Sequence, residues 1–250
     1  MLSVTSLKAR FYDRARNWQD GTSRYLSLVS KYVKPSHHVL DIGAGDGKGF
    51  AHPLRGQVKE LVGLDPDESV FRNISLDRAV IGRAERIPLP NSSFDVVVSS
   101  FTLEHIQDPV SAASEIFRIL RPGGVFVFRT PNLYHYVTLV SWLTPQWFHV
   151  LVANRLRALK PEENPAPWPT AYRCNTRRRI RSVFENAGFA VKGLTTIEPE
   201  PSYLQFSAIA FLLGVGYERI VNCTKCLAPF RVTILGVLGK PSLGEHHASD

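Results

Sequence analysis

The feature that most constrains the fold is a short apolar segment that runs directly into a glycine-rich turn. The segment Val39–Ile42 is followed by three glycines in alternation, Gly43, Gly45 and Gly47. Glycine allows a positive φ and lets a ligand approach the main chain without a Cβ in the way. In an α/β sheet such a turn lies at the carboxyl end of a strand, where ligands bind. The pattern therefore predicts an α/β sheet with a ligand site beside its first strand.

Further apolar runs of strand length alternate with segments that have helical periodicity. We predict strands at His38–Ile42, Glu60–Asp65, Ala79–Ala84, Phe94–Ser100, Val125–Thr130, Phe189–Ile197 and Phe230–Val237. The alternation predicts βαβ units. The expected fold is a doubly wound, Rossmann-like α/β fold with a seven-stranded, mostly parallel sheet. Helical insertions are expected after the fifth strand and between the last two strands.

Two helices have clear start and stop signals. One begins at Pro109 after the N-cap Asp108 and ends at Pro122–Gly124. Its predicted apolar face consists of Val110, Ala113, Phe117 and Leu120. The other spans about 175–187, with Gly188 as its C-terminal stop. Its predicted apolar face consists of Ile180, Val183, Phe184 and Ala187.

The chain is predicted to form a single domain over residues 1–240 with a disordered tail at 241–250. Within the domain we expect N-terminal helices, a ligand-binding core, an aromatic insertion on the substrate side, and a C-terminal part with an apolar, helical insertion. Their predicted ranges are 5–34, 35–132, 133–173, 174–240 and, for the apolar insertion, 203–221.

The glycine turn does not fit the two phosphate-binding loops that it most resembles. A dinucleotide loop, G-x-G-x-x-G, needs a third glycine at the position of Lys48. A P-loop needs G-K-[ST], which is missing at the required spacing. Asp41 stands before the first glycine, and its carboxylate would repel a pyrophosphate.

A second acidic residue, Asp65, ends the second predicted strand, about 20 residues beyond the glycine turn. A carboxylate at this place can accept hydrogen bonds from both hydroxyls of a ribose. Asp65-Pro66-Asp67 is also good turn chemistry, so Asp65 alone could simply cap the turn. The glycine turn upstream favours ribose binding.

Several motifs between Val39 and Asn132 together resemble the core of class I S-adenosylmethionine-dependent methyltransferases, in particular the group related to ubiquinone and menaquinone biosynthesis. The matching pieces are D-I-G-A-G-D-G at 41–47, G-L-D at 63–65, A-E-R-I-P-L-P at 84–90, S-F-D-V-V-V-S-S at 93–100, L-E-H-I at 103–106 and L-R-P-G-G at 120–124. They agree with the family in order and spacing over about 95 residues.

The resemblance implies S-adenosylmethionine as the cofactor and a role for each matching position. The methionyl part of the cofactor would contact the main chain of the glycine turn, with Asp41 near its ammonium group. Asp65 would bind the ribose, with Pro66 beside it. Ala84 and Glu85 would border the adenine, and Ser99–Phe101 would line the cofactor next to the methyl group. The complete predicted set is Asp41, Gly43, Ala44, Gly45, Gly47, Asp65, Pro66, Ala84, Glu85, Ser99, Ser100 and Phe101.

One position departs from the family. Relatives commonly carry an aspartate before the Ala-Glu pair, where this chain has Arg83. The adenine contact would then come from main chain, from Glu85 or from stacking. The departure leaves open a non-catalytic protein that keeps the fold.

Two histidines are candidate general bases. His105 follows the fourth predicted strand, and His135 lies in the loop where this fold usually meets its substrate. His105 could equally brace its loop, and Glu104 is expected to be structural. Tyr134 is a predicted substrate contact in the same loop as His135.

Basic residues cluster near the second clear helix. Arg173, Arg177 and Arg178 are predicted to meet substrate or another anion, since cations are disfavoured in the first turn of a helix. The alternative is an ordinary solvated run of charge. The whole chain has 30 Lys and Arg against 22 Asp and Glu, a net charge of +8. The charge favours an anionic partner: a phosphate, an acidic lipid surface or nucleic acid.

The apolar insertions, Leu139–Val152 and Phe206–Val215, would either pack together as a lid or remain exposed. If exposed, they would form a hydrophobic tunnel or a shallow membrane contact. We expect no membrane-spanning helix and no signal peptide, hence a cytoplasmic protein that is either free or peripheral at the inner membrane face. No metal site is expected, because Cys223-x-x-Cys226 lacks a second pair of ligands.

The expected function is methyl transfer to oxygen or carbon of a small, partly apolar and anionic acceptor, such as a lipid, a quinone-like molecule or a sugar-linked molecule. The alternatives are an RNA or DNA methyltransferase that uses the basic helix, and a non-catalytic binding protein. The fourth predicted strand ends Ser99-Ser100-Phe101, without the N/D-P-P-Y typical of enzymes that methylate exocyclic base nitrogens.

Overall fold

The computed structural model describes residues 3–13, 18–48, 53–143 and 169–242. Residues 144–168 of the predicted aromatic insertion lie outside the described residues, as does the predicted tail from residue 243 onward. In the described part, the strands are β1 His38–Ile42, β2 Glu60–Asp65, β3 Arg78–Ile81, β4 Phe94–Ser100, β5 Leu120–Pro131, β6 Ala190–Ile197 and β7 Thr233–Gly239. The α-helices are α1 Val4–Phe11, α2 Gly21–Val29, α3 Pro109–Ile119, α4 Tyr136–Leu143, α5 Arg177–Asn186 and α6 Ala208–Cys223.

The seven strands form one sheet in the order β3-β2-β1-β4-β5-β7-β6. The strand β1 pairs in parallel with β2 on one side and with β4 on the other, with Leu40 opposite both Val62 and Val97. The chain order therefore reverses between β1 and β4, which is the topological switch point of a doubly wound sheet. The predicted fold is confirmed, and so are helical insertions after β5 and between β6 and β7.

The central strands are buried because helices cover the sheet. All of β1 after His38 is buried, as is all of β2 after Glu60. The rings of Phe126 and Phe128 on β5 stack 5.0 Å apart, and Phe184 of α5 lies 5.6 Å and 6.2 Å from them. Each fully buried phenylalanine stabilises the fold by about 1.5–3 kcal/mol. The buried residues of α5, which are Ile180, Val183 and Phe184, therefore face the sheet.

The helix α3 has the predicted start but a different buried face. The side chain of Asp108 accepts hydrogen bonds from the backbone N–H groups of Val110 and Ser111, and Pro109 takes the first turn. The prediction that Val110 faces the core is wrong, because it is 53% exposed. The buried residues are instead Pro109, Ala112, Ala113, Ile116 and Ile119. These residues are three or four positions apart, or one apart at the two alanines, so they form one stripe of the helix that leaves Val110 outside it.

Several element bounds differ from the predictions. The third strand ends at Ile81, before the predicted Ala84, because Arg83 and Arg86 form an isolated antiparallel bridge there. The fifth strand begins at Leu120 and the seventh at Thr233. The helix α5 begins at Arg177, where the side chain of Thr176 caps the backbone N–H of Arg179. It ends before Gly188, which has the predicted positive φ of +98°.

The contacts within the chain fall into two compact units, each assembled from three segments. The helical unit comprises Met1–Arg24, Pro131–Thr170 and Thr196–Ile234. The sheet unit comprises Tyr25–Thr130, Ala171–Thr195 and Leu235–Asp250.

The helical unit has its own small core between α1 and α6. Leu7 and Tyr12 pack on Phe211 and Val215, and the Tyr12 and Phe211 rings meet edge to face at 6.1 Å. The hydroxyl of Tyr12 donates to Oε2 of the buried Glu218 at 3.1 Å. Burial and the neighbouring Glu218 charge raise the pKa of Tyr12, so its hydroxyl stays a donor at every physiological pH.

Candidate functional site

The glycine turn after β1 is held in the sheet unit by the next strand. The backbone N–H groups of Gly43 and Ala44 both donate to the carbonyl of Leu64, at 2.8 Å and 3.3 Å. Gly43, Gly45 and Gly47 have φ values of +80°, +52° and +78°. Because L-residues pay roughly 1–2 kcal/mol for a left-handed conformation, the turn depends on glycine at all three positions.

The three glycines differ in what surrounds them. A Cβ on Gly43 would overlap the Thr102 side chain, and a Cβ on Gly47 would come within 2.5 Å of the Asn73 amide oxygen. A Cβ on Gly45 would meet no atom of the described residues within 4 Å. Packing within the protein therefore explains the first and third glycines, whereas the middle one lies on open space that a ligand can enter.

Asn73, which the sequence analysis did not single out, braces this turn. It is 7% exposed, and its Nδ2 donates to the carbonyls of Ala44 and Gly45 at 3.0 Å and 3.2 Å. Its Oδ1 accepts from the backbone N–H of Ser75. Since a buried amide with all its hydrogen bonds made is costly to move, Asn73 fixes the carbonyl side of the turn.

Asp41 and Asp65 form a buried acidic pair at the ends of β1 and β2. They are 5% and 8% exposed. Burial and the nearby Asp65 charge raise the pKa of Asp41 to about 7. The carboxylate of Asp65 accepts from the backbone N–H groups of Gly45 at 3.0 Å and Asp67 at 2.9 Å. Asp65 therefore orders its own turn through Asp67 and also contacts the glycine turn through Gly45.

The end of β4 brings Ser99, Ser100 and Phe101 to the other side of the switch point. Ser99 is fully buried, and its hydroxyl has no hydrogen-bond partner among the described residues. Phe101 has a φ of +56°, which is unusual for a residue with a bulky side chain, and it is 41% exposed. An unpartnered buried hydroxyl and a strained backbone at one strand end are typical of a binding site.

Arg129 supports this strand end, and the sequence analysis missed it. It is 5% exposed, and its Nε donates to the Ser100 hydroxyl at 2.8 Å. Its guanidinium lies 4.6 Å from the Phe101 ring centroid and 4.9 Å from that of the buried Tyr25. The cation is thus sandwiched between two aromatic rings. Burial, followed by the Asp41 charge, raises the pKa of Tyr25.

The other predicted cofactor residues lie around the loops that follow β2 and β3. Ala84 is buried, Pro66 is exposed, and the carboxylate of Glu85 accepts from the backbone N–H of Gln107 at 3.1 Å. Arg83, the departure from the family pattern, is exposed.

Glu104 and His105 follow β4 in a short 3-10 helix. Glu104 is 4% exposed, accepts from the Thr130 hydroxyl at 3.2 Å, and its carbonyl accepts from the N–H groups of Ala171 and Tyr172. Burial raises the pKa of Glu104 to about 7. These contacts support the structural role expected for Glu104. His105 is half-buried, and its backbone N–H donates to the Thr102 carbonyl.

His135 and Tyr134 belong to the helical unit. His135 is 1% exposed, and burial lowers its pKa to about 4. Its Nε2 lies 3.7 Å from Oε2 of the buried Glu198, too far for a hydrogen bond. Burial raises the pKa of Glu198 to about 8. Both shifts disfavour the charged forms, so burial opposes an ion pair between these two side chains. Tyr134 is 53% exposed.

The predicted anion-binding arginines are not gathered around one point. A guanidinium nitrogen of Arg173 donates to the Gln107 carbonyl at 3.0 Å, so this residue ties two loops together. Arg177 and Arg178 are exposed in the first turn of α5. Among the described residues, no group of His, Cys, Asp and Glu is arranged to hold a metal ion. Cys223 and Cys226 are exposed free thiols.

In the comparisons with known proteins, a methyltransferase-domain family matches residues 11–192. A probable S-adenosylmethionine-dependent methyltransferase from Mycolicibacterium smegmatis is 39% identical over 98 residues, or 38% of each chain. An uncharacterized methyltransferase from Mycobacterium tuberculosis is 34% identical over 162 residues, which cover 60% of this chain and 78% of that protein. A malonyl-[acyl-carrier protein] O-methyltransferase from Serratia marcescens is 31% identical over 133 residues, 51% of each chain. The chain thus spans about two fifths to four fifths of these relatives.

Solved structures agree on the fold. A methyltransferase solved with the Haloferax volcanii Trm112 methyltransferase activator superposes with a TM-score of 0.61 over 98% of both chains, at 19% identity. The YcgJ protein from Bacillus subtilis has a TM-score of 0.56 over 88% of this chain and 99% of its own, at 20% identity. Family match, sequence relatives and sheet order agree, and the chain belongs to the class I S-adenosylmethionine-dependent methyltransferase family.

Proposed function

We propose that the protein transfers the methyl group of S-adenosylmethionine to an oxygen or carbon atom of a small, partly apolar acceptor. The observation that carries this proposal is the buried acidic pair Asp41 and Asp65 beside Gly45, where no described atom lies within 4 Å of the Cβ position. A pair of carboxylates repels a pyrophosphate. It suits a ligand that offers an ammonium group and two neighbouring hydroxyls.

The residues fit this cofactor on physical grounds. Burial together with the Asp65 charge raises the pKa of Asp41, which means that a cation bound nearby would relieve an existing electrostatic strain. The middle glycine leaves room for a ligand to pack against its Cα, while its N–H and carbonyl are held by Asp65 and Asn73. The buried hydroxyl of Ser99 has no hydrogen-bond partner among the described residues and lies at the end of β4. Arg83 is exposed, which argues against its side chain filling the adenine region from within the protein.

The cofactor supplies a methyl group that is already activated, so the protein has to align the acceptor with it and exclude water. Alignment of this kind contributes about 7–11 kcal/mol to lowering the barrier. Asp65 and the glycine turn would hold the cofactor, and Asn73 keeps the turn from shifting. The strained Phe101 and the arginine behind it would fix the strand end beside the cofactor.

A general base is needed only where the acceptor must lose a proton. His105 is our candidate, because it follows β4 directly and is accessible to solvent in part. His135 is less suited to this role. Its pKa of about 4 makes it a weak base near neutral pH, and its side chain is almost completely buried.

An oxygen acceptor is favoured by the relatives named malonyl-[acyl-carrier protein] O-methyltransferase, which match about half of this chain. An acceptor on RNA or DNA is the alternative. Two of the arginines that suggested it are engaged within the protein, because Arg173 binds the Gln107 carbonyl and Arg181 pairs with Glu185 at 3.0 Å. Nucleic-acid binding that falls steeply with salt would favour the alternative.

The test is calorimetric titration with S-adenosylmethionine and S-adenosylhomocysteine. The Asp65→Asn variant keeps the shape of the side chain but removes its charge, and it should bind roughly 10- to 150-fold more weakly, as expected for a lost charge-assisted hydrogen bond of about 1.5–3 kcal/mol. The matched control is Asp67→Asn in the same turn. Asp67 is exposed and caps Ser69, a role that asparagine can fill, so this variant should bind like the wild type.

Cofactor binding that is lost in Asp65→Asn and kept in Asp67→Asn would establish the site and justify a search for the acceptor among small apolar and anionic compounds. A folded wild-type protein that binds neither compound would overturn the proposal. The non-catalytic alternative would then take its place.

A further inference from the structure

The helix α6 is apolar on two opposite faces, which is unusual for a helix of a water-soluble fold. One face packs in the helical unit through Phe211, Gly214, Val215, Glu218 and Val221. Leucine and isoleucine residues dominate the opposite face, which is exposed. Helices that are apolar all round are normally buried in a protein core or in a membrane.

The exposed residues form one continuous stripe, which we call the α6 apolar face. It consists of Ile209, Leu212, Leu213, Gly216 and Ile220. They are separated by three or four positions, the spacing that places side chains on one side of a helix. Ile209, Leu213 and Ile220 are 75%, 69% and 59% exposed. Phe206, just before the helix, adds a ring that is 50% exposed.

The exposed charged residues of α6 and of the segment that follows it up to residue 242 are basic. Glu218 is the single acidic residue in residues 201–242, and it is 4% exposed on the buried side of α6. Arg219 forms an ion pair with Glu218 at 3.4 Å while 60% of its side chain stays exposed, and Lys225 is exposed just beyond the helix. The helix α1, which packs on α6, has no acidic residue and exposes Arg10.

We propose that the α6 apolar face docks on the surface of a membrane that contains anionic lipids. An exposed apolar stripe flanked by arginine and lysine is the composition of helices that lie in the plane of the lipid headgroups. With 16 residues, α6 is about 24 Å long. Within the described residues no helix is long and apolar enough to cross a membrane. The helix would therefore lie parallel to the surface, with its leucines and isoleucines below the headgroups and its cations level with them.

The charges favour lipid over a second copy of the chain. In a symmetric dimer through this face, each copy would present the same basic residues to the other, and like charges across an interface are unfavourable. An anionic membrane instead attracts every one of these cations, and each cation near the surface makes the free energy of binding more favourable. Docking uses residues of the helical unit alone and does not depend on cofactor binding.

The test is co-sedimentation of the full chain with vesicles of phosphatidylcholine alone or with about one third phosphatidylglycerol. The wild type should bind the anionic vesicles, and salt should weaken binding. The double variant Ile209→Asp/Leu213→Asp should bind at least about tenfold more weakly, because two charges enter the apolar contact. The variant Arg219→Gln/Lys225→Gln should lose about fivefold for each charge removed.

The matched control is Ile74→Asp, which changes an isoleucine that is 85% exposed in the sheet unit and should leave vesicle binding unchanged. Urea unfolding of each variant then shows whether it is folded, independently of docking and of cofactor binding. Wild-type protein that ignores anionic vesicles at low salt would overturn the proposal. So would equal losses in the control, or a concentration-dependent dimer that Ile209→Asp/Leu213→Asp abolishes.

Discussion

Asp41 makes the protein without cofactor less stable as the pH rises, and Asp41→Asn should remove this effect. The pKa of Asp41 in the folded chain is about 7, above the ordinary 3.8, because the carboxyl group is buried and faces Asp65. The folded state therefore holds the proton more tightly than the unfolded state. The contribution of the protonated Asp41 carboxyl group to the free energy of unfolding is fully present below about pH 3.8 and is lost as the pH rises through about 7.

The size of the effect follows from these two values. The difference between 3.8 and about 7 corresponds to about 4 kcal/mol over the full range, at about 1.36 kcal/mol per pKa unit. Between about pH 5.5 and about pH 8, roughly 2 kcal/mol of this would be lost. The asparagine side chain has nearly the same shape and does not titrate. Over this interval, the free energy of unfolding of Asp41→Asn should fall by roughly 2 kcal/mol less than that of the wild type.

Urea unfolding of the cofactor-free protein at the two pH values measures this difference. Glu104 and Glu198 also have raised pKa values, so both proteins should lose stability with pH, and the comparison isolates Asp41. Asp67→Asn is the control. The pKa of Asp67 is lowered by its hydrogen bonds with Ser69, so its contribution is constant over this range.

The same carboxyl group links cofactor binding to proton release. If the cofactor brings an ammonium group to Asp41, the carboxyl group should lose its proton on binding at about pH 6.5. Titrations in buffers of different ionisation enthalpy should detect this release in the wild type and not in Asp41→Asn. Equal pH dependence of stability in the two proteins would refute the reasoning, because Asp41 would then not hold a proton in the folded state.

Two further substitutions test the packing behind the site. Gly43→Ala should lower the free energy of unfolding by about 2–5 kcal/mol, because it combines left-handed backbone strain with overlap on Thr102. Gly56 has a φ of +73°, and a Cβ there would meet no atom of the described residues within 4 Å. Gly56→Ala should therefore cost only the backbone strain, about 1–2 kcal/mol. Arg129→Lys should lower stability by about 2 kcal/mol, and Arg129→Met by less, because an ammonium group is costlier to bury between two rings than a thioether. Denaturant unfolding measures both pairs, and the opposite order within either pair would contradict these contacts.

The sequence was sufficient to predict the sheet and the turn that defines the site, because both are local patterns. A strand followed by alternating glycines, and the acidic residue that ends the next strand, are visible without any knowledge of contacts. The structure places Asp41, Gly45 and Asp65 together as expected. Their roles toward a cofactor stay predictions that the titrations test.

Residues that act through distant partners could not be predicted. Asn73 braces a turn 28 and 29 residues away, and Arg129 reaches Ser100 across two paired strands. Neither residue lies in a local pattern that indicates its role. Val110 was placed in the core because it fits one helical stripe, but the neighbouring stripe through Ala112, Ala113 and Ile116 also has helical spacing and is the one that is buried.

The sandwich of Arg129 between Tyr25 and Phe101 has a consequence for how the site can change. Tyr25 comes from α2, Phe101 follows β4, and the arginine lies on β5, so one planar side chain joins three elements that are far apart in sequence. Replacing the arginine removes the cation from both rings, whereas replacing either ring leaves the arginine on the other. We therefore expect substitutions at these three positions to be non-additive in their effects on stability, because Arg129 couples the two aromatic residues.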